Sequence, residues 1–478
     1  MAHRRFRLPQ ISLFDKTGLD HHAIRLLNGI IYAFVAGMGW VVITSGVALT
    51  GFFKELGASD AIYGLLVALN PIASSLQFLT SYALERWLPR KKTFIIAGLI
   101  QRSVWLPMGL IPFIIPMELQ ALRLWMAATL LTLSAGMNPI MNVAFSSMCA
   151  DAVPLRIRGR YFSVRSRITL FSGLVFGLLT GYVLDNVPGF ASYAIMFGIA
   201  SVLGIADIGT FIFLRFPPMR RHPHKLGLIA MMKPIFQDRN YMRLVRFGTA
   251  WAFAVNLFSP FSMVYLIEGM KMPRFQIVLY NLVASNLTGM IAAGWWGRAF
   301  DRIGIKPVLT IITLFMAGTS LLWAIAMPGM AWVILVVSCL GGMVWSAYDI
   351  GGQNLYMKLA GEQNRSMYFA IYFIGVQLLG VALSSAIGGW LLDNPLAHIE
   401  SLGLHLGGYR PTRYHYLFYI SGALRFAAIG LLPSVKEEGA PPVRAAFADM
   451  MASTRASFVN LLGNARAALT KLSRTRST

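Results

Sequence analysis

Long apolar runs alternate with short polar segments along the whole chain. Each run is about 20 residues long, which is the length that an α-helix needs to cross roughly 30 Å of hydrocarbon. The pattern predicts an all-α polytopic membrane protein with twelve transmembrane helices. The predicted spans are residues 28–51, 61–84, 93–113, 124–148, 166–185, 191–214, 247–267, 276–296, 307–327, 331–354, 367–391 and 416–433.

A basic, proline-containing segment divides these twelve spans into two sets of six. We therefore expect five parts, which are an N-terminal arm (1–27), a first six-helix half (28–214), a linker (215–246), a second half (247–434) and a tail (435–478). Hydrophobic spacing within Leu226–Phe236 predicts an amphipathic helix at the membrane surface. The tail has two open interpretations, an interfacial amphipathic helix or a solubilising extension.

Two short sequence patterns recur between the halves at almost the same offset. GYVLDN, which ends at Asn186, recurs as GWLLDN, which ends 208 positions later at Asn394. RGRYF, which begins at Arg158, recurs 207 positions later as RSMYF, which begins at Arg365. Parallel repeats of this kind are typical of transporters built from two related halves.

The basic residues are distributed very unevenly over the predicted loops. The chain is 56% hydrophobic and 13% charged, with a net charge of +23. Of its 42 Lys and Arg residues, 34 lie in the termini and in loops on the side of the termini, whereas six lie in loops on the other side. This asymmetry places both termini in the cytoplasm. It also explains the positive charge without nucleic acid. We expect the protein in a bacterial cytoplasmic (inner) membrane.

Signals for catalysis and for bound cofactors are missing from the sequence. The two cysteines, Cys149 and Cys339, cannot form a metal cluster by themselves, and we find no nucleotide-binding loop and no nucleophile with a plausible base. We therefore expect no enzyme, no cofactor and no metal site. The first apolar run is too long for a signal-peptide core and lacks a clear cleavage site, so we interpret it as a retained helix.

One polar loop in the second half carries a recognisable pattern, GWWGRAFDRIGIKP. Its spaced residues are Gly297, Asp301, Arg302, Gly304 and Lys306. Flanked by two apolar runs, this pattern resembles the cytoplasmic loop signature of bacterial-type transporters of the major facilitator superfamily. The resemblance implies two repeated six-helix halves and transport by alternating access. It assigns neither a subfamily nor a substrate.

The same resemblance implies a gating role for this loop and for its degenerate counterpart, Glu85-Arg86, in the first half. Asp301 would dock on the positive N-terminus of a neighbouring helix and latch one conformation. Arg158 and Arg365, at the starts of helices 5 and 11, would be partners across the halves. The alternative is a solvated turn whose charges only fix topology.

Two charged residues lie deep within predicted helices of the first half. Arg102 on helix 3 and Asp207 on helix 6 lie at similar depth, and a charge within the bilayer costs at least about 2.5 kcal/mol. We expect a structural ion pair rather than a substrate site. Arg425 on helix 12 lacks an obvious acidic partner, and Asp349 is a candidate.

Candidate substrate contacts come from helices that line the central cavity in this superfamily. Asn138 and Asn142 on helix 4, and Trp345 and Asp349 on helix 10, are two pairs four residues apart at repeat-related positions. Asn256 on helix 7 is a weaker candidate. Asp349 could also bind a coupling proton. The alternative is that these polar residues hydrogen-bond neighbouring helices.

These observations lead to one main functional hypothesis and one rival. The main hypothesis is a monomeric permease that moves a small solute through the lipid bilayer, by secondary active or facilitated transport. A hydrophobic or amphiphilic solute would fit the sparsely polar cavity. The rival is a membrane assembly or biogenesis factor that keeps the fold without transporting.

Overall fold

The computed structural model describes most of the chain. The described residues are 20–86, 88–154, 157–217, 228–361, 365–403, 409–437, 441, 444, 445 and 447. The arm before residue 20 and the predicted tail helix beyond 447 lie outside them. So do the side chains of four predicted gating residues, Glu85, Arg86, Arg158 and Arg365.

Twelve helices among the described residues are long and apolar enough to cross a membrane, which confirms the predicted all-α fold. They are α1 (His21–Glu55), α2 (Asp60–Leu84), α3 (Arg90–Ile114), α4 (Met117–Cys149), α5 (Tyr161–Asn186), α6 (Phe190–Phe213), α7 (Arg239–Gly269), α8 (Arg274–Ile303), α9 (Ile305–Ile325), α10 (Ala331–Leu359), α11 (Met367–Ser401) and α12 (Arg413–Ser434).

Several helices extend beyond the apolar runs that predicted them. α1 begins at His21 and α7 begins at Arg239, because a helix continues through charged residues whose long side chains reach the aqueous interface. The Asp238 side chain caps α7, since its Oδ1 accepts hydrogen bonds from the backbone N–H groups of Asn240 and Tyr241 at 3.1 and 3.0 Å. A short helix, Leu228–Gln237, precedes α7 and overlaps most of the predicted amphipathic stretch, Leu226–Phe236.

Three helices of the second half contain segments of π-helix, where the backbone is wound more loosely than in an α-helix. These segments are Tyr265–Gly269 in α7, Leu279–Ala284 in α8 and Gly375–Ala382 in α11. Such segments bend membrane helices and frequently occur at functional positions.

Because twelve spans separate them, residues 20 and 437 lie at one end of the bundle. We call this the termini end, and the opposite end the distal end. The two halves meet where α2 crosses α11 and α5 crosses α8. Glycines allow these crossings, since a Cβ on Gly64 of α2 would overlap the Ser385 carbonyl oxygen of α11.

Candidate functional site

A cavity of about 200 Å³ lies within the first half, between helices α1, α3, α4, α5 and α6. Its polar lining residues are Gln101, Arg102, Asn138, Asn142, Thr169 and Asp207. Its aromatic and apolar lining residues are Phe34, Met38, Trp40, Val41, Phe94, Met141, Phe145 and Phe211.

Arg102 and Asp207 form one wall of this cavity. Arg102 Nη2 lies 3.1 Å from Asp207 Oδ2, and both side chains are buried. The guanidinium carbon also lies 3.5 Å from the centre of the Trp40 ring. Glycines make room for the pair, because a Cβ on Gly37 would lie 2.8 Å from Asp207 Oδ2 and one on Gly204 would lie 2.6 Å from Arg102 Cδ.

Part of this wall has more hydrogen-bond donors than acceptors. Arg102 Nε and Nη1 and Trp40 Nε1 are buried, and no described residue accepts a hydrogen bond from them. A buried donor without an acceptor costs about 1–3 kcal/mol. Arg165 adds a further cation beside the cavity, with its guanidinium carbon 4.2 Å from the centre of the Phe34 ring. The surroundings of the cavity therefore favour a group that accepts hydrogen bonds.

Asn138 and Asn142 line the same cavity as the ion pair. Asn142 Nδ2 donates a hydrogen bond to Asn138 Oδ1 at 3.2 Å. From the sequence, the asparagines are predicted substrate contacts and the ion pair is a separate structural feature. The structure places all four side chains around one cavity, and only a three-dimensional arrangement could show this.

The candidates of the second half lie elsewhere. Trp345 and Asp349 are exposed on α10, and Trp345 packs edge-to-face against Tyr348 at 5.9 Å. Among the described residues, no hydrogen bond or ion pair reaches Asp349. Neither residue lines the first-half cavity. The Asn256 amide donates to the Ala252 carbonyl oxygen of its own helix at 2.9 Å, as expected for a structural role.

Arg425 does not pair with Asp349, contrary to the candidate pairing suggested by the sequence. Its Nη1 donates to the Met316 carbonyl oxygen of α9 at 3.1 Å, and its guanidinium carbon lies 4.8 Å from the centre of the Phe258 ring. Arg425 therefore contacts a backbone carbonyl and an aromatic face and not the candidate carboxylate of Asp349.

The loop between α8 and α9 forms the expected tight turn, with Gly304 at φ 103°. The expected docking of Asp301 is not formed in this conformation, because Asp301 is exposed and no described residue pairs with it. The carboxylate of a tail residue, Glu437, lies at the N-terminus of α9 instead. Its carboxylate accepts from the Lys306 backbone N–H at 2.7 Å and from Lys358 Nζ at 2.8 Å.

The other residues of this loop motif also have defined environments. Gly297 has open space where a Cβ would lie, and Arg302 is exposed. Lys306 Nζ donates to the Pro433 carbonyl oxygen at 3.1 Å. The sequence does not reveal this role of Glu437, because it lies in the hydrophilic tail, where nothing distinguishes it from a solvated charge.

A charged cluster at the distal end was also missed. The buried carboxylate of Asp60 accepts from Lys54 Nζ at 2.9 Å and from Tyr414 Oη at 3.2 Å, and Arg413 Nη2 lies 3.0 Å away. Lys54 Nζ also lies 3.4 Å from Glu268 Oε1. These contacts join α1 and α2 to α7 and α12, so they connect the two halves.

Comparisons with known structures show the same architecture. A nucleoside transporter NupG in a mutant form has a TM-score of 0.68 at 12% identity, covering 86% of this chain and 100% of that chain. A D-xylose–proton symporter has a TM-score of 0.62 at 14% identity, covering 88% and 98%. A bacterial homologue of the human lysosomal transporter Spinster, in an inward-facing and unoccupied conformation, has a TM-score of 0.61 at 14% identity, covering 88% and 100%.

At these identities the structural likeness shows the fold alone. A search of curated proteins found no sequence match. The sequence profile described as Major Facilitator Superfamily matches residues 29–385, which is most of the chain. The chain therefore belongs to the major facilitator superfamily, and it is a membrane transporter.

Proposed function

We propose that this transporter moves a small amphiphilic solute by alternating access and that the solute binds in the first-half cavity. The observation that carries the proposal is the composition of the cavity wall. Two asparagine amides and a buried ion pair line the cavity together with a group of aromatic rings. Few precisely placed polar groups among apolar ones are typical of small-molecule sites.

The charges around the cavity favour an acceptor-bearing, neutral or anionic polar group on the solute. Asp207 neutralises Arg102, whereas Arg165 stacks on a ring of the cavity wall. Arg102 and Trp40 also have buried N–H groups that no described residue accepts, and these favour a solute group that accepts hydrogen bonds. A cationic head group would add a third positive charge to this region, so cationic solutes should bind least well.

The size and the walls of the cavity favour a compact apolar body. Phe34, Phe94, Phe145 and Phe211 supply an aromatic lining, on which an aromatic or aliphatic body can pack. The volume of about 200 Å³ is below the range of about 300–1,000 Å³ typical of drug-sized ligands. The solute is therefore a small molecule.

Orientation and coupling complete the proposal. The basic termini and loops support a cytoplasmic location for the termini end, in a bacterial inner membrane. With the halves joined at the distal end, this conformation opens towards the cytoplasm.

Asp349, with no partner among the described residues, is our candidate for the residue that binds a coupling proton. Asp301, Arg158 and Arg365 would engage when the cytoplasmic side closes. The protein works as a monomer, without a chemical step or a resident cofactor.

A matched series of ligands tests the solute class. We would measure thermal unfolding of the purified protein with phenylacetate, phenylacetamide and phenethylamine, which differ in the charge of one polar group. A ligand at about 100 times its Kd stabilises the folded state by roughly 2.7 kcal/mol. We expect stabilisation by the carboxylate or the amide and none by the amine. Stabilisation by the amine alone would contradict the proposal.

A second measurement locates the site. Asn142→Ala removes an amide from the cavity, whereas Asn186→Ala is a matched control at the distal end. Within the described part of the chain, the Asn186 amide bonds only the Tyr182 carbonyl oxygen of its own helix. We expect a tenfold weaker Kd for a stabilising ligand in Asn142→Ala, which corresponds to about 1.4 kcal/mol, and no change in the control. Equal Kd values in both variants would place the binding site elsewhere.

A further inference from the structure

Two carboxylates at the distal end make the same unusual contact in the two halves. Asp185, near the end of α5, accepts hydrogen bonds from the backbone N–H groups of Arg274 and Phe275, which begin α8, both at 2.8 Å. Asp393 ends the Leu383–Asp393 segment of α11, before the short helix Pro395–Ser401. Its carboxylate accepts from the N–H groups of Asp60 and Ala61, which begin α2, at 3.2 and 2.7 Å. Each carboxylate therefore caps a helix of the opposite half.

The backbone beside each carboxylate is shaped for this contact. Gly181 lies one helical turn before Asp185, and a Cβ there would lie 2.7 Å from the Phe275 Cα. Gly389 lies one turn before Asp393, and a Cβ there would overlap the backbone of Asp60. These glycines and aspartates are the equivalent positions of the repeat GYVLDN and GWLLDN, so a contact between the halves explains the repeat.

The electrostatics of the helix ends make this contact specific to one conformation. A carboxylate near the C-terminus of its own helix faces the negative end of that helix dipole, which is unfavourable. The N-terminus of the opposing helix offers positive potential and N–H groups that have no partner within the helix. Where the helix ends meet, the N-terminus of the opposing helix therefore offsets the unfavourable interaction of Asp185 and Asp393 with their own helix dipoles. This stabilisation is lost when the halves separate at the distal end.

We propose that Asp185 and Asp393 are a symmetric pair of locks that hold the two halves together at the distal end, and that the Gly-x-x-x-Asp repeat is their sequence signature. Arg413 strengthens the α2–α11 lock, because its guanidinium lies 3.0 Å from Asp60 Oδ2 and 3.7 Å from Asp393 Oδ1. The inference rests on transport by alternating access, but it is independent of which solute is carried and where it binds.

Distances between spin labels would test the locks. Labels at Met117→Cys and Met330→Cys, in exposed distal positions of the two halves, would be measured by double electron–electron resonance in a Cys149→Ala/Cys339→Ala background without added solute. In Asp185→Asn and Asp393→Asn, each of which removes one capping charge, we expect the ratio of long to short distances to rise about fivefold to tenfold. The double variant should multiply the two effects.

Controls separate the locks from general effects of charge. Glu400→Gln removes a carboxylate from the same end, where no described residue pairs with it, and should leave the distances unchanged. An unchanged distribution in both aspartate variants, or an equal shift in the Glu400 variant, would overturn the proposal.

The glycines give a second test that changes no charge. Gly181→Ala and Gly389→Ala should shift the distances in the same direction, because the added Cβ forces the helix ends apart. Gly198→Ala on α6 is the matched control, since its Cβ would approach no atom closer than 3.9 Å. Failure of the glycine variants to lengthen the distance would contradict the proposed close contact. Because these experiments contain no solute, their outcome does not depend on the cavity assignment.

Discussion

The buried pair of Arg102 and Asp207 gives the sharpest energetic prediction. The two side chains are 8% and 10% exposed, and Nη2 and Oδ2 lie 3.1 Å apart. At an effective dielectric constant of about 20, Coulomb's law gives an attraction of about 5 kcal/mol at this separation. The desolvation of both ions cancels much of that energy, so replacement of both charges by apolar residues is expected to be nearly neutral.

The single variants should behave differently from the double variant. Asp207→Leu leaves the guanidinium buried with only the Trp40 ring, and Arg102→Met leaves the carboxylate buried alone. We expect each to lower the free energy of unfolding by about 3–5 kcal/mol, and the double variant to lower it by about 1 kcal/mol or less. The coupling energy from the double-mutant cycle should therefore be about 5 kcal/mol or more.

The assay is equilibrium unfolding in mixed micelles, in which the denaturing detergent is titrated and tryptophan fluorescence is followed. A partly exposed pair at the distal end, Arg274 with Glu55 at 3.7 Å, is the control, and its coupling should be below about 1 kcal/mol. A coupling for Arg102 and Asp207 as small as that of the control would refute the view that this pair joins α3 to α6.

Three further predictions follow from single residues. Asp349→Asn should abolish the pH dependence of transport, because it removes the unpaired carboxylate of α10, and a full pH response in the variant would exclude Asp349 as the proton site. Asp301→Asn should weaken transport without lowering the melting temperature measured in this conformation, since Asp301 is exposed here, and unchanged transport would argue against a latch. Gly342→Ala should destabilise the fold by about 1–3 kcal/mol, because its Cβ would overlap the Ser285 carbonyl oxygen. Gly341→Ala, whose Cβ would approach no closer than 3.7 Å, should not, and equal melting temperatures would contradict the packing.

Continuous apolar runs of about 20 residues predicted the twelve helices, because a membrane helix must satisfy its backbone hydrogen bonds within one apolar segment. The same logic could not locate the helix ends. The predicted first helix begins at residue 28, whereas α1 begins at His21, because the apolar run stops at charged residues but the backbone hydrogen bonds do not. Asp238 could have marked the true start of α7, since aspartate is a favoured N-cap.

The candidate site was predicted in parts. Spacing identified Asn138 and Asn142, and depth in the bilayer identified Arg102 and Asp207 as isolated charges of opposite sign. The sequence contained no information that α1, α3, α4 and α6 bring the two sets to one cavity, because that requires the packing of helices distant in the chain.

The ion pairs and helix caps at the distal end could not be predicted as long as the charges in loops were taken to be solvated. Lys54 and Arg413 were counted only as basic residues outside the membrane, although both bind Asp60. The repeated Asp185 and Asp393 offered a signal that could have been used. A carboxylate that ends an apolar helix is unfavourable for that helix, so two such residues at equivalent positions indicate a partner.

Access to Asn142 tests the central claim, that the first-half cavity is the solute pathway of an alternating-access carrier. Asn142→Cys, in the Cys149→Ala/Cys339→Ala background, would be labelled with a membrane-impermeant maleimide in inside-out and right-side-out vesicles. We predict rapid labelling from the cytoplasmic side and slow labelling from the outside, with faster labelling from the outside after Asp185→Asn/Asp393→Asn. The account would be contradicted if the cysteine were not labelled from the cytoplasmic side, or if it were labelled no faster from there than from the outside.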